Sequence, residues 1–132
     1  MVYICSEGLS VVLRRIGYWG SGAPGALPDP VSLAGAEWVE TEREDVEDYL
    51  GRGFVSSASL GREQCRLCGR QNGSLELSDG TFCWPEGLRH YVQAHSLALP
   101  REFIDHVVSS IVSLMDQEVD DEWWIEWARK AP

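Results

Sequence analysis

No stretch of the 132 residues comes near the ~18 consecutive apolar residues that a membrane-crossing helix requires, which argues against a helical membrane protein. An export signal is missing too. In the opening MVYICSEGLSVVLRR the arginines follow the apolar part instead of preceding it, so the expected location is the cytoplasm. Basic charge is scarce: 11 lysines and arginines face 21 aspartates and glutamates, a formal net charge of −10. Such a chain repels phosphate backbones, which weighs against a nucleic-acid partner. Catalytic signatures are also wanting. There is no phosphate-cradling GxxxxGK[ST], no HExxH, no His-x-Glu of zinc deaminases, and no serine–histidine–aspartate order.

What is present fits a small single domain of the α+β class. The length leaves no room for a second core, and a hydrophobic fraction of 44% is ordinary for a folded protein. Within the domain, 1–132, we expect a zinc-finger-like unit at about 62–96, made of a knuckle, a β-hairpin and a helix. Additional amphipathic helices pack with it, ending in a C-terminal helix and an acidic, tryptophan-rich tail at about 100–132.

Residues 9–13, LSVVL, suit a short strand or the first turns of a buried element. The glycine- and proline-rich GYWGSGAPGALPDP (17–30) reads as loop, and an ordered one, because Tyr18 and Trp19 are costly to leave in water. Thr41 with Glu44 forms a capping box for a helix in which Val46, Tyr49 and Leu50 make one apolar stripe against an acidic back, with Gly51 as its stop. Asp79-Gly80 marks a tight turn between strands at 74–77 and 81–84. Pro85 fits the first position of a helix through Leu88, Tyr91, Val92 and His95. Pro100 opens another, where Phe103, Ile104, Val107, Val108, Ile111, Leu114 and Met115 keep a 3.6-residue period. His106, on that helix, reads as an ordinary helix histidine. Trp123, Trp124 and Trp127 are either a flap closing on the core or an exposed anchor that binds a partner; the rarity of large exposed apolar patches favours the flap.

The chemistry concentrates at CRLCGRQNGSLELSDGTFCWPEGLRHYVQAH, residues 65–95. Two cysteines spaced Cys-x-x-Cys reach one ion from a single turn, and Gly69 relieves the strain of that turn. His90 and His95, on a helix or its frayed end, complete a Cys₂His₂ set for zinc with Cys65 and Cys68. The 21 residues between Cys68 and His90 exceed the ~12 of the common DNA-binding finger. Two alternatives stay open here: Cys83 replaces one histidine, or no metal binds and the cysteines are small buried hydrophobes. Cys5 stands apart, and with no export signal a metal outranks disulfides. With four ligands in place no position is free for water, and Glu86 sits where a helix start favours a carboxylate anyway, so the zinc reads as structural.

The segment CRLCGRQNGSLELSDGTFCWPEGLRHYVQAHSLALPREF resembles a family of small bacterial proteins of unknown function. That family shares the Cys-x-x-Cys-Gly start, the Asn-Gly-Ser and Asp-Gly turns, and a Trp-Pro-Glu-Gly-Leu-x-His-Tyr-Val-x-x-x-His block. GYW with LPDP upstream and the Trp38-to-Leu50 helix are similar too, so the resemblance spans most of the first 105 residues. It implies Cys65, Cys68, His90 and His95 as the matching positions, leaves Cys83 and the tail after about Met115 outside the pattern, and implies no activity.

The leading expectation is therefore a non-enzymatic, zinc-stabilised protein that works by binding a protein partner, a basic one given the seven acids from Glu37 to Asp48 and the six from Asp116 to Glu126. An immunity or antitoxin-type protein is one concrete form, and solvated helical faces are the plain reading of those acids. The second class is a zinc-dependent hydrolase or enzyme subunit using Glu86 and His90. The third is a nucleic-acid finger, drawing on Arg62, Arg66, Arg70 and Arg89 around the proposed zinc.

Overall fold

The computed structural model describes residues 12–58 and 61–132. Cys5 and most of the element expected at 9–13 lie outside them, and the strand that forms nearby is β1, Arg14–Arg15. β2 (Phe54–Ala58), β3 (Leu75–Ser78) and β4 (Phe82–Pro85) join it in a four-stranded mixed sheet of order β1-β4-β3-β2. β1 runs parallel to β4, and the other two pairs are antiparallel. β4 lies between two neighbours, which is why its Phe82, Cys83 and Trp84 are all buried instead of alternating with polar residues.

The β3–β4 hairpin is turned by Asp79-Gly80, as the sequence suggests. Asp79 Oδ1 accepts the backbone N–H groups of Thr81 at 2.9 Å and Phe82 at 2.7 Å, and Gly80 supplies a φ of +92°. The loop at 17–30 is ordered by Gly20 and Gly22 donating to Pro28 and Leu27 at 2.9 Å each. Trp19 packs edge-on against Tyr91 at 5.3 Å.

Helix α1 (Glu40–Leu50) buries Val46 and Leu50 and half-buries Tyr49, the expected stripe. Its start differs. Val39 is the cap residue and no side chain caps the helix, so Thr41 lies inside the first turn and the capping box does not form. The entry point is set by tertiary contact instead: the Trp38 indole N–H donates to the Leu97 carbonyl at 3.1 Å. Gly51 does end the helix, but in ordinary right-handed geometry at φ −78°.

Helix α2 (Leu88–His95) begins later than Pro85 suggests. Pro85 closes β4, and the Glu86 N–H still donates to the Leu75 carbonyl, so the ladder runs past the proline and Gly87 becomes the cap. Helix α3 (Arg101–Met115) follows Pro100 and buries Phe103, Ile104 and Val107 in a core with Trp84, Leu50, Leu88, Val92 and Leu97. The Trp84 indole N–H donates to the Leu50 carbonyl at 3.0 Å, joining β4 to the end of α1. The apolar period of α3 outruns this core: Leu114 is 73% exposed and Met115 81%. Among the described residues no helix is long and apolar enough to cross a membrane.

The last helix, α4 (Glu122–Lys130), buries none of its residues. Trp123, Trp124 and Trp127 are 66%, 53% and 57% exposed, so they do not form the flap that general packing statistics favour. The segment leading to them, DQEVDD at 116–121, carries four acids and prefers water to an apolar surface.

Candidate metal centre

Residues 63–73 fold back on themselves as a knuckle. The Glu63 N–H donates to the Gly73 carbonyl at 2.8 Å, the Asn72 N–H donates to the Glu63 carbonyl at 2.8 Å, and the Cys65 N–H donates to the Arg70 carbonyl at 2.8 Å. The Gly69 N–H closes the turn on the Cys65 carbonyl at 2.7 Å with φ +75°, the conformation for which glycine is favoured. The Leu67 N–H points at Cys65 Sγ from 3.4 Å.

Hydrogen bonds from the knuckle and the strand that follows it seat this unit on the rest of the fold. The Arg66 N–H donates to the Tyr91 hydroxyl at 2.9 Å, and Asn72 Nδ2 donates to the Gly87 carbonyl at 3.1 Å. Glu86 Oε1 accepts the N–H groups of Ser74 at 2.5 Å and Leu75 at 3.0 Å. The fit is close: a side-chain carbon at Gly73 would overlap Glu86, and one at Gly87 would overlap Asn72.

Seating places Cys65 and Cys68 opposite the histidines of α2. His90 Nε2 lies 3.3 Å from Cys68 Sγ, and His95 Nε2 lies 3.5 Å from Cys65 Sγ. The two imidazole rings stand nearly perpendicular at 84°, and all four ligand atoms fall within 4.8 Å of one another. His95 ends α2, and Ser96 after it adopts a left-handed conformation that caps the helix on Tyr91. Cys65, Cys68, His90 and His95 therefore form a group able to hold a metal ion. Burial, then His95, then Arg70 hold the His90 imidazole below its ordinary value, toward the neutral form that ligation requires.

The other sequence candidates lie elsewhere. Cys83 is not part of the group; it is buried on β4 near Glu76, Arg15 and Tyr18, and burial pushes its thiol up. Glu86 is occupied with backbone amides, as a structural carboxylate would be. Among the described residues no ion pair engages Arg62, Arg66, Arg70 or Arg89; Arg62 donates to Gln71 and Arg66 to the Gly20 carbonyl instead.

Sequence reasoning missed a second polar centre. His106 Nε2 meets Asp79 Oδ2 at 2.7 Å, and the Tyr49 hydroxyl donates to the same oxygen at 2.6 Å. Burial pushes the Asp79 carboxyl up, but hydrogen bonds from Tyr49, Phe82, Thr81 and His106 outweigh it and hold the group below the ordinary aspartate value. Burial is also the main reason the Tyr49 phenol is pushed up to about 12. His106 is thus a tie between α3 and the hairpin turn, and only the three-dimensional arrangement reveals it. Ser110 Oγ donates to the His106 carbonyl at 2.7 Å, not to its ring, so it is no activated nucleophile.

Beside this network a groove of about 520 Å³ opens between the end of α1, the hairpin and the end of α3. Its apolar lining is Tyr49, Phe54, Trp84, Ile111, Leu114 and Met115. No family model, curated protein or solved structure matches the chain.

Proposed function

We propose that the chain is a non-enzymatic, zinc-stabilised protein that works by binding another protein. The observation that carries the reading is the closed set of four ligand atoms, two sulfurs and two imidazole nitrogens, drawn from the knuckle and α2. A tetrahedral zinc with bonds of about 2.3 Å to sulfur and about 2.0–2.1 Å to nitrogen sets those ligands roughly 3.5–3.6 Å apart. Two of the sulfur–nitrogen separations, 3.3 and 3.5 Å, lie close to that spacing, and the group as a whole, within 4.8 Å, needs only to draw in around an ion. Four protein ligands leave no coordination position for a reacting water, and Glu86 has its oxygen committed to backbone. The role left to the ion is to hold the knuckle on α2, which in a domain this small contributes directly to folding.

The protein-binding half of the proposal rests on surface. α4 presents Trp123, Trp124 and Trp127 on one exposed side, and Trp124 stacks on Trp127 at 5.3 Å. A net charge of −10 favours a basic partner and would speed its approach; an immunity or antitoxin-type role against a basic toxin is one form this could take. Affinity capture tests the reading: the wild-type chain retains a specific protein, and a Trp123→Ser, Trp124→Ser, Trp127→Ser variant loses it while staying folded. Equal capture by both chains would remove the tryptophan face from the proposal. The hydrolase alternative is tested by Glu86→Gln, which on our reading lowers stability; loss of a measured activity at unchanged stability would favour the enzyme.

A further inference from the structure

We infer that the outer edge of β2 takes an extended, basic segment of a partner protein as an added strand. This deepens the protein-binding reading and rests on it, but it assigns a surface other than the tryptophan face. Three observations carry it. The first is an open ladder. Among the described residues the sheet runs β1-β4-β3-β2, so β2 is an edge, and the N–H and C=O groups it turns away from β3 meet no further strand. Sheet edges are ordinarily blunted by brevity or charge, and the two edges of this sheet differ in that respect. β1 is two residues long and both are arginines, whereas β2 is five residues with no charge and no proline. A bulge between Val55 and Ser57 is its one protective device.

The second observation is apolar surface beside the ladder. Phe54 is 80% exposed and Val55 59%, although both lie in a strand. Phe54 also lines the groove of about 520 Å³, next to the exposed Leu114 and Met115. An added strand completes the ladder with its backbone and lays alternate side chains over this surface. Sheet edges that recognise extended peptides draw affinity from the first and selectivity from the second.

The third is charge, and it sets the sign of the occupant. At the Phe54 end the groove holds Asp45, Asp48 and Asp79 against Arg52 alone. Arg52 answers Asp48 at 3.0 Å and Asp79 serves Tyr49 and His106, which leaves Asp45 with no ion pair among the described residues. At the Ala58 end a smaller hollow of about 240 Å³ contains Glu63 and Glu76 and no basic side chain. Glu76 accepts from the Tyr18 hydroxyl, and Glu63 has no ion pair among the described residues. An uncharged strand with an unanswered carboxylate near each end suits a segment that is apolar within and basic at its ends. It disfavours a second copy, whose own β2 would bring the same acids to both ends.

The test is retention of a peptide pool by the purified, zinc-loaded chain. The pool is acetyl-Lys-x-x-x-x-Lys-amide, with x drawn from valine, isoleucine, threonine and tyrosine, and a pool with glutamate at both ends is the control. The expected result is retention of lysine-ended members alone, one per chain, weakened by added salt. The best-retained member is then titrated by calorimetry. Asp45→Asn with Glu63→Gln weakens its binding roughly fivefold or more, and so does Phe54→Ala; melting is unchanged because none of the three side chains is buried. The same peptide N-methylated on alternate residues, made in both phases, tests the ladder. The phase that blocks the edge facing β2 loses roughly tenfold or more, and the other phase binds as before. Equal binding by the two phases overturns the added strand. No retention of the lysine-ended pool, or binding unchanged in the Asp45 and Glu63 variant, overturns the proposal as well. A chain that dimerises on its own, with a dimer that Phe54→Ala dissolves, makes a second copy the occupant and refutes the basic segment. The Trp123→Ser, Trp124→Ser, Trp127→Ser variant binds the peptide as the wild type does. If the peptide fails while tryptophan-dependent capture persists, the strand is wrong and the protein-binding reading stands; if both fail, that reading falls with it.

Discussion

Asp79 is the residue whose removal should reveal how the hairpin is held against the helices. Its Oδ1 takes two backbone N–H groups of the turn, and its Oδ2 takes the Tyr49 hydroxyl and the His106 ring. Asp79→Asn keeps an acceptor for the backbone pair and loses the charge seen by Tyr49 and His106. A hydrogen bond to a charged group contributes about 1.5–3 kcal/mol and a neutral one about 1, so the expected cost is about 1–2 kcal/mol. Asp79→Ala removes all of these acceptors, and the expected cost rises to about 3–4 kcal/mol. At about 4 °C per kcal/mol for a chain of this size, the melting temperature falls by roughly 4–8 °C for Asn and roughly 12–16 °C for Ala. Urea unfolding at a series of pH values is the assay. The Asp79 carboxyl is held below its ordinary value in the fold, so its contribution is full above the unfolded value near 4 and is lost as pH falls through and below it. The gap between wild type and Asp79→Asn should therefore be widest near neutrality and close in acid. Equal losses for Asn and Ala at pH 7, or losses within about 0.5 kcal/mol for both, would refute the account.

The same network gives an alkaline signature. With the Tyr49 phenol pushed up to about 12 by burial and its bond to Asp79, its stabilising part is complete below about 10 and is lost as pH rises from there toward 12; Tyr49→Phe should make the slope of a base titration of unfolding shallower, leaving the parts that the raised Tyr18, Tyr91 and Cys83 contribute. Gly73→Ala should cost about 2–4 kcal/mol, because it combines a left-handed φ of +88° with displacement of Glu86 from the Ser74 and Leu75 amides. Gly80→Ala, at φ +92° but facing open space, should cost only about 1–2, and thermal melts that rank the two the other way would count against the packing described for the knuckle. Phe103→Ala, fully buried against Phe82 and Trp84, should cost about 3–5 kcal/mol in equilibrium unfolding.

The metal group was legible in the sequence because its chemistry is local at both ends. Cys65-x-x-Cys68-Gly69 specifies a turn, and His90 with His95 sits beside the apolar positions Leu88, Tyr91 and Val92 that hold α2 in the core. The hairpin was legible for the same reason, since Asp79-Gly80 acts within its own turn. What escaped was set by contacts distant in sequence. Trp38 bonding to Leu97 decides where α1 begins, and the ladder bond from Glu86 to Leu75 delays α2 past Pro85. His106 and Asp79 are 27 residues apart, and no periodic pattern links them. The tryptophans of α4 illustrate a different limit. Their apolar character argues for burial, but only the structure shows that they stay more than half exposed among the described residues.

Zinc content of the purified protein tests the central claim most directly, measured by elemental analysis on the wild type and on Cys65→Ser, His95→Ala and Cys83→Ser. The account predicts one zinc per chain in the wild type and in Cys83→Ser. It predicts loss of most of that zinc, with a sharp fall in stability, in the Cys65 and His95 variants. Zinc retained in full by both Cys65→Ser and His95→Ala, or a wild-type chain that folds equally well after chelation with no metal bound, would contradict it.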